Sequence, residues 1–135
     1  MVKIFLSSHG RLASGMENSL NILLGKDERL FVFDAYVDER SLQDKLEQFY
    51  AEMKEGDHVV LLSDLYGGSV NQAMSPYSER SNTILVTGVN LPFMMELMLC
   101  DEITADSVDE LIQDGRNALK RVVLGNEKPK EEDFF

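Results

Sequence analysis

His9 and Asp64 are the residues of this 135-residue chain whose types and surroundings point most directly to chemistry. His9 lies in Ser7-Ser8-His9-Gly10, where the apolar run Val2-Lys3-Ile4-Phe5-Leu6 stops and an amphipathic helical pattern begins. Asp64 follows a second such run, His58-Val59-Val60-Leu61-Leu62-Ser63, and precedes Leu65-Tyr66-Gly67-Gly68-Ser69. In open α/β sheets, ligands and chemistry gather outside the carboxyl ends of the strands. If these two runs are neighbouring strands, an imidazole and a carboxylate face each other across a glycine-lined crevice. A carboxylate that accepts from one imidazole nitrogen fixes the tautomer, leaves the other nitrogen as a nucleophile, and stabilises the positive charge that develops during attack.

The flanking residues suit an anion, with phosphate the candidate. Gly10 removes bulk beside the ring, Ser7 and Ser8 offer hydroxyls, and the loop feeds the positive end of a helix dipole. Gly67 and Gly68 let backbone amides approach phosphoryl oxygens, and Ser69 adds a hydroxyl donor at a helix N-terminus. Plainer readings stand beside these: a histidine that hydrogen-bonds nearby backbone, an aspartate that caps a turn, and a generic Gly-Gly-Ser turn. His58 reads as a partly exposed strand residue and the seven methionines as packing on helix faces. Two distant histidines and one cysteine make no structural zinc site. Neither the Gly-x-x-x-x-Gly-Lys-Ser/Thr loop nor the Gly-x-Gly-x-x-Gly fingerprint occurs, so a phosphoryl group is expected to arrive on another protein, with no bound cofactor.

The elements that must position these residues follow from the apolar pattern. Runs at about Val2 to Ser7, Leu30 to Ala35, His58 to Ser63 and Thr83 to Thr87 alternate with helical periodicities, the pattern of βαβ units that build a parallel sheet covered on both faces. Leu12, Met16, Leu20, Leu23 and Leu24 predict the buried stripe of a first helix that ends at Gly25. Leu42, Leu46, Phe49, Tyr50 and Met53 predict a second, with Ser41 as N-cap and Gly56 near its exit. A third is expected from Ser69 to about Tyr77, and a fourth from Leu91-Pro92. Ser107-Val108-Asp109-Glu110 reads as a capping box ahead of Leu111, Ile112, Ala118 and Leu119.

One domain accommodates this length, and 44% apolar residues suffice for one continuous core. A net charge of -11 would repel phosphate backbones and anionic lipid, which argues against nucleic acid and membrane surfaces and favours basic protein partners. Cys100 has no internal disulfide partner and no signal segment is recognised, so the cytoplasm is the expected compartment. The longest apolar stretch, Leu91 to Cys100, carries Glu96 and is too short to span a bilayer. Residues 125–135 lack a core pattern and are expected to form an acidic, frayed tail to a domain of residues 1–124.

Three blocks in order make the chain resemble the IIA component of the mannose-family phosphoenolpyruvate-dependent sugar phosphotransferase system. They are Ser8-His9-Gly10 with Ala13 and Gly15, Asp64-Leu65-Tyr66-Gly67-Gly68-Ser69, and Val86-Thr87-Gly88-Val89-Asn90-Leu91-Pro92 leading to Glu96. The resemblance implies a doubly wound α/β fold with strand order 2-1-3-4, which would set the first and third strands side by side. It implies that His9 accepts phosphate from the carrier HPr and passes it to a histidine of a IIB protein, with Asp64 as its hydrogen-bonded partner and Ser69 with nearby amides as the phosphate cradle. Membrane IIC and IID components would be served indirectly. It further implies a homodimer in which a C-terminal strand, here within Gly115-Arg116 to Val122-Val123-Leu124, crosses to pair antiparallel with the partner's sheet.

Val70-Asn71-Gln72 departs from the proline and asparagine that many relatives carry after Gly-Gly-Ser, so Asn71 does not inherit that asparagine's role. No Ala/Pro linker to a IIB domain follows, so the IIB partner is expected to be a separate polypeptide. Competing readings are the phosphotransfer subunit of dihydroxyacetone kinase, a phosphorylation-controlled regulatory module, and a non-enzymatic anion-binding domain.

Overall fold

A computed structural model describes residues 1–125 of the chain; the expected tail from residue 126 onward lies outside the described residues. Four strands, β1 (Val2–His9), β2 (Leu30–Ala35), β3 (His58–Ser63) and β4 (Thr83–Thr87), form one parallel sheet in the order β2-β1-β3-β4. The helices are α1 (Leu12–Leu24), α2 (Leu42–Ala51), α3 (Ser69–Met74), α4 (Leu91–Leu99) and α5 (Ala105–Asn117), with a 3-10 turn at Ser75–Glu79 after α3. The alternation of side chains along each strand sorts the core into two layers. Ile4, Leu6, Val60 and Leu62 meet α1, α4 and α5 through Ala13, Leu20, Phe93, Met94, Leu97, Val108 and Leu111. Phe5, Phe33, Val59 and Leu61 meet α2 and α3 through Leu46, Phe49, Val70 and Met74. The chain is therefore doubly wound, as expected.

Several boundaries differ from the sequence reading, each for a local reason. β1 runs two residues further than expected because Ser8 and His9 pair with Asp34 and Ala35 of β2. The α-helical part of α3 stops at Met74, two residues before Pro76, whose missing N–H and ring cannot continue the i to i−4 ladder. In α5 the N-cap is Thr104, not Ser107. Thr104 accepts from the Ser107 amide at 3.1 Å and Ser107 accepts from the Thr104 amide at 2.8 Å, a capping box one turn earlier. The predicted stripe of α1 is also partly wrong: Leu12 and Leu23 are about half exposed, and the helix buries a narrower face through Ala13 and Leu20.

Gly115 and Arg116, expected to open a C-terminal strand, are helical instead, and Gly115 is buried so closely against α4 that a Cβ there would come within 3.1 Å of Phe93 Cβ. Residues 118–125 follow α5 without regular structure, leaving Leu119, Val122 and Leu124 exposed.

Candidate functional site

The strand register places the site. β1 and β3 are adjacent, and their pairing ends with Ser7 opposite Ser63. His9 therefore lies two residues beyond the end of β3, still held on its other side by Ala35 of β2. Its backbone N–H, which has no β3 carbonyl left to bind, donates instead to Asp64 Oδ2 at 2.9 Å. The same oxygen lies 2.9 Å from His9 Nδ1. One carboxylate oxygen thus ties the imidazole to its own backbone and aligns Nδ1 as the protonated nitrogen.

Nε2 then points to the other side of the crevice, 3.2 Å from Ser69 Oγ at the start of α3. The His9 side chain is 41% exposed and that of Asp64 11%, so the imidazole is accessible from the surface while its carboxylate partner is sheltered. Burial alone would push the Asp64 carboxyl up. The hydrogen bonds from the His9 amide and imidazole outweigh it and hold this carboxyl below the usual aspartate value. Asp64 Oδ1 is buried with no hydrogen-bond partner among the described residues, an arrangement that a purely structural cap would not need.

The glycines contribute room more than donors. The Gly10 amide is engaged by Ala35 O at 2.8 Å and the Gly68 amide by Leu65 O at 3.1 Å. A side chain on Gly68 would bring its Cβ within 3.1 Å of His9 Cε1 and within 3.2 Å of Leu65 O. Gly67 makes the turn at φ +75°, where a β-carbon is strained.

The two serines before His9 have a different task from the one expected. Ser7 is fully buried and donates to Phe33 O at 2.6 Å. Ser8 Oγ accepts from the Ala13 amide at 2.7 Å, and Asp34 accepts from the Ser14 amide at 2.9 Å and the Ser14 hydroxyl at 2.6 Å. These contacts satisfy the first amides of α1, and the Asp34 carboxylate offsets the positive end of that helix. The hydroxyls of Ser7 and Ser8 are therefore engaged in holding the loop, not turned to an anion.

Tyr36, the residue after β2, was missing from the sequence reading. It is the only described non-glycine residue with positive φ, at +68°. Its hydroxyl lies 2.5 Å from Ser69 Oγ, and its ring centroid lies 5.4 Å from that of His9 at an interplanar angle of 34°. The rule that led to His9 and Asp64, the carboxyl end of a parallel strand, applies equally to Tyr36. The third block of the resemblance does structural work instead. Asn90 accepts from the Phe93 amide at 3.0 Å as the N-cap of α4 and donates through Nδ2 to Gly115 O at 2.8 Å, joining α4 to α5.

Among the described residues no cluster of His, Cys, Asp and Glu could hold a metal ion, and no helix is long and apolar enough to cross a membrane. The family model described as EIIA-man, PTS system fructose IIA component, matches residues 3–114. The fructose-specific EIIA component of the phosphotransferase system of Bacillus subtilis is 28% identical over 101 residues, covering 73% of this chain and 69% of that protein. Among solved structures, a chain from Klebsiella pneumoniae described as a phosphoenolpyruvate-dependent sugar phosphotransferase system permease superposes with a TM-score of 0.82 at 26% identity, over 89% of this chain and 90% of that one. The mannose/sorbose-specific IIA subunit of Enterococcus faecalis gives 0.77 at 25% identity, over 93% and 98%.

Proposed function

The chain belongs to the EIIA-man family of sugar phosphotransferase-system IIA components, and from that premise we propose that His9 is its phosphoryl-carrying residue. The donor is the phosphohistidine of HPr, and the acceptor is a histidine of a IIB protein. The observation that carries this reading is the division of labour on one imidazole: Nδ1 is committed to Asp64, and Nε2 keeps its lone pair, met at rest by the Ser69 hydroxyl alone, which turns away as phosphorus arrives. In the transfer, the Nε2 lone pair forms an N–P bond as the N–P bond of the donor histidine breaks, and the donor imidazole recovers its electron pair. The Nδ1 proton stays between His9 and Asp64, whose carboxylate stabilises the imidazole as it gains positive charge.

Ser69 donates to a phosphoryl oxygen, and Gly10, Gly67 and Gly68 leave the space in which the transferring group lies. Catalysis comes from in-line positioning and electrostatic stabilisation and needs no nucleotide or metal. Sugar choice is assigned to the membrane components, since no step of the transfer brings sugar to His9.

The test is incubation with phosphoenolpyruvate, enzyme I and HPr, then intact-mass and site-mapping spectrometry under conditions that preserve phosphohistidine. Phosphate on His9, dependent on HPr and discharged by a IIB protein, is the expected result. Phosphate that stays on His9 in the presence of IIB would favour a regulatory module, and none on the folded protein would remove the reading.

The proposed homodimer draws support from two features of one region. β4 is an edge strand beside a groove lined by Leu85, Phe93, Ile112 and Leu119, and the residues after α5 leave Leu119, Val122 and Leu124 exposed. A strand donated from the non-helical part of the expected segment, up to Leu124, would cover the edge and the groove of the partner. Sedimentation is expected to show a dimer at micromolar concentration, and a monomer would count against the exchange.

A further inference from the structure

We infer that Tyr36 is a positioning residue for His9, acting through the hydroxyl of Ser69 to aim a donor at Nε2. This inference rests on the reading of His9 as phosphoryl acceptor and adds a residue to it.

The direction of the hydrogen bonds follows from the carboxylate. Asp64 Oδ2 can only accept, so the proton between it and the ring belongs to Nδ1, and in the neutral imidazole, the form that can attack phosphorus, Nε2 accepts. The hydroxyl 3.2 Å from Nε2 must then donate to it, which uses the single proton of Ser69. Tyr36, 2.5 Å from Ser69 Oγ, is left to donate to Ser69. The chain Tyr36 to Ser69 to His9 to Asp64 thus has one consistent polarity. With Nε2 bonded to phosphorus its lone pair is gone, and the Ser69 hydroxyl is free to turn to a phosphoryl oxygen while still accepting from Tyr36.

The backbone supplies an independent observation. Tyr36 sits at φ +68°, in the left-handed region that an aromatic residue seldom adopts and that glycine adopts freely. The residue is 64% exposed, so burial in the core does not explain why tyrosine stands there. What the side chain does reach is the imidazole face and the Ser69 hydroxyl. Unfavourable backbone held next to a reactive group is the signature of a residue kept for its contacts at that group.

Three readouts test this with Tyr36→Phe and Tyr36→Gly. In Tyr36→Phe, which keeps the ring and its packing, KM for phospho-HPr is expected to stay within about twofold while kcat falls roughly fivefold, the worth of one hydrogen bond. The Nε2 nitrogen resonance of the unphosphorylated protein, assigned with the help of His58→Gln, should move toward that of an imidazole nitrogen without a donor. Tyr36→Gly should lose activity at least as much yet unfold at the same or a higher temperature, because the backbone strain is relieved.

Wild-type kcat and an unchanged Nε2 resonance in Tyr36→Phe would overturn the inference. A loss confined to Tyr36→Gly and accompanied by lower stability would overturn it as well, since the residue would then serve the fold alone. If wild-type protein takes no phosphate, the reading of His9 falls separately, and the resonance still decides whether Tyr36 acts on Nε2.

Discussion

The turns that follow β1 and β4 are built alike and used differently. Both strands flank β3, and both turn on a glycine of positive φ, Gly10 at +62° and Gly88 at +73°. Both lead into helices that pack on the same core layer. At the β4 turn the polar side chain is absorbed by the fold: Asn90 caps α4 and binds α5. At the β1 turn the capping of α1 falls to Ser8 and to Asp34 from the neighbouring strand, which leaves His9 free of that duty. A polar residue at a strand's carboxyl end is thus available for chemistry when something else satisfies the helix behind it.

The strongest way to break this comparison is to remove the free side chain. His9→Gln is expected to abolish phosphate uptake from phospho-HPr while changing the unfolding free energy by less than about 1 kcal/mol, as for an exposed side chain outside the core. Phosphate on the folded variant, found by site mapping, would place the chemistry elsewhere. Asp64→Asn comes next, with acceptance slowed at least about a hundredfold. An amide facing Nδ1 favours the tautomer that puts the proton on Nε2, where it blocks attack. Stopped-flow or quenched transfer from phospho-HPr measures this, and a loss below about tenfold would reduce Asp64 to a cap.

At the other turn the expected effects change places. Asn90→Ala should lower stability by about 1–3 kcal/mol, from the lost cap and the lost hydrogen bond to the Gly115 carbonyl that ties α4 to α5, and leave phosphate acceptance within about twofold. Chemical denaturation paired with the phosphorylation assay checks both halves.

Much of this was legible in the sequence because the fold and the site rest on short-range signals. The bounds of β2, β3 and β4 follow from apolar runs broken by polar turns, and the pairing of β1 with β3, implied by the resemblance, is what brings His9 to Asp64. What escaped was governed by contacts across strands. The hydroxyls of Ser7 and Ser8 look available in sequence, and only the nearness of Phe33 and Ala13 in space shows them to be engaged. Tyr36 gives no sequence signal of its φ or of its contact with Ser69, since both depend on β2 ending beside β1 and on the start of α3 lying opposite. The early start of α5 turned on choosing between Thr104 and Ser107 as cap, two residues that play reciprocal parts in one box.

The smallest predicted effect sharpens the comparison through charge. Each turn region holds one carboxylate oxygen buried without a hydrogen-bond partner among the described residues, Asp64 Oδ1 at the first and Glu96 Oε2 on α4 at the second. Their neighbours differ in sign. Donors from His9 hold Asp64 below its usual value against the opposing effect of burial, whereas burial and the nearby Asp114 both push Glu96 up. Asp64 therefore contributes stability above the unfolded aspartate pKa of about 3.9, and that contribution is lost as pH falls through its lower folded value. Glu96 behaves oppositely. Below the unfolded glutamate pKa of about 4.3 it is neutral in both states and costs nothing, and as pH rises through its higher folded value the fold must hold an ionised carboxylate beside Asp114. Glu96→Gln should accordingly raise stability at pH 7, by less than about 1 kcal/mol for so partly screened a pair, with the gain closing toward pH 4. Urea midpoints at the two pH values read it directly. A gain of the same size at both would mean that the glutamine helps by packing, and that the carboxylates at the two turns do not differ in the way their neighbours dictate.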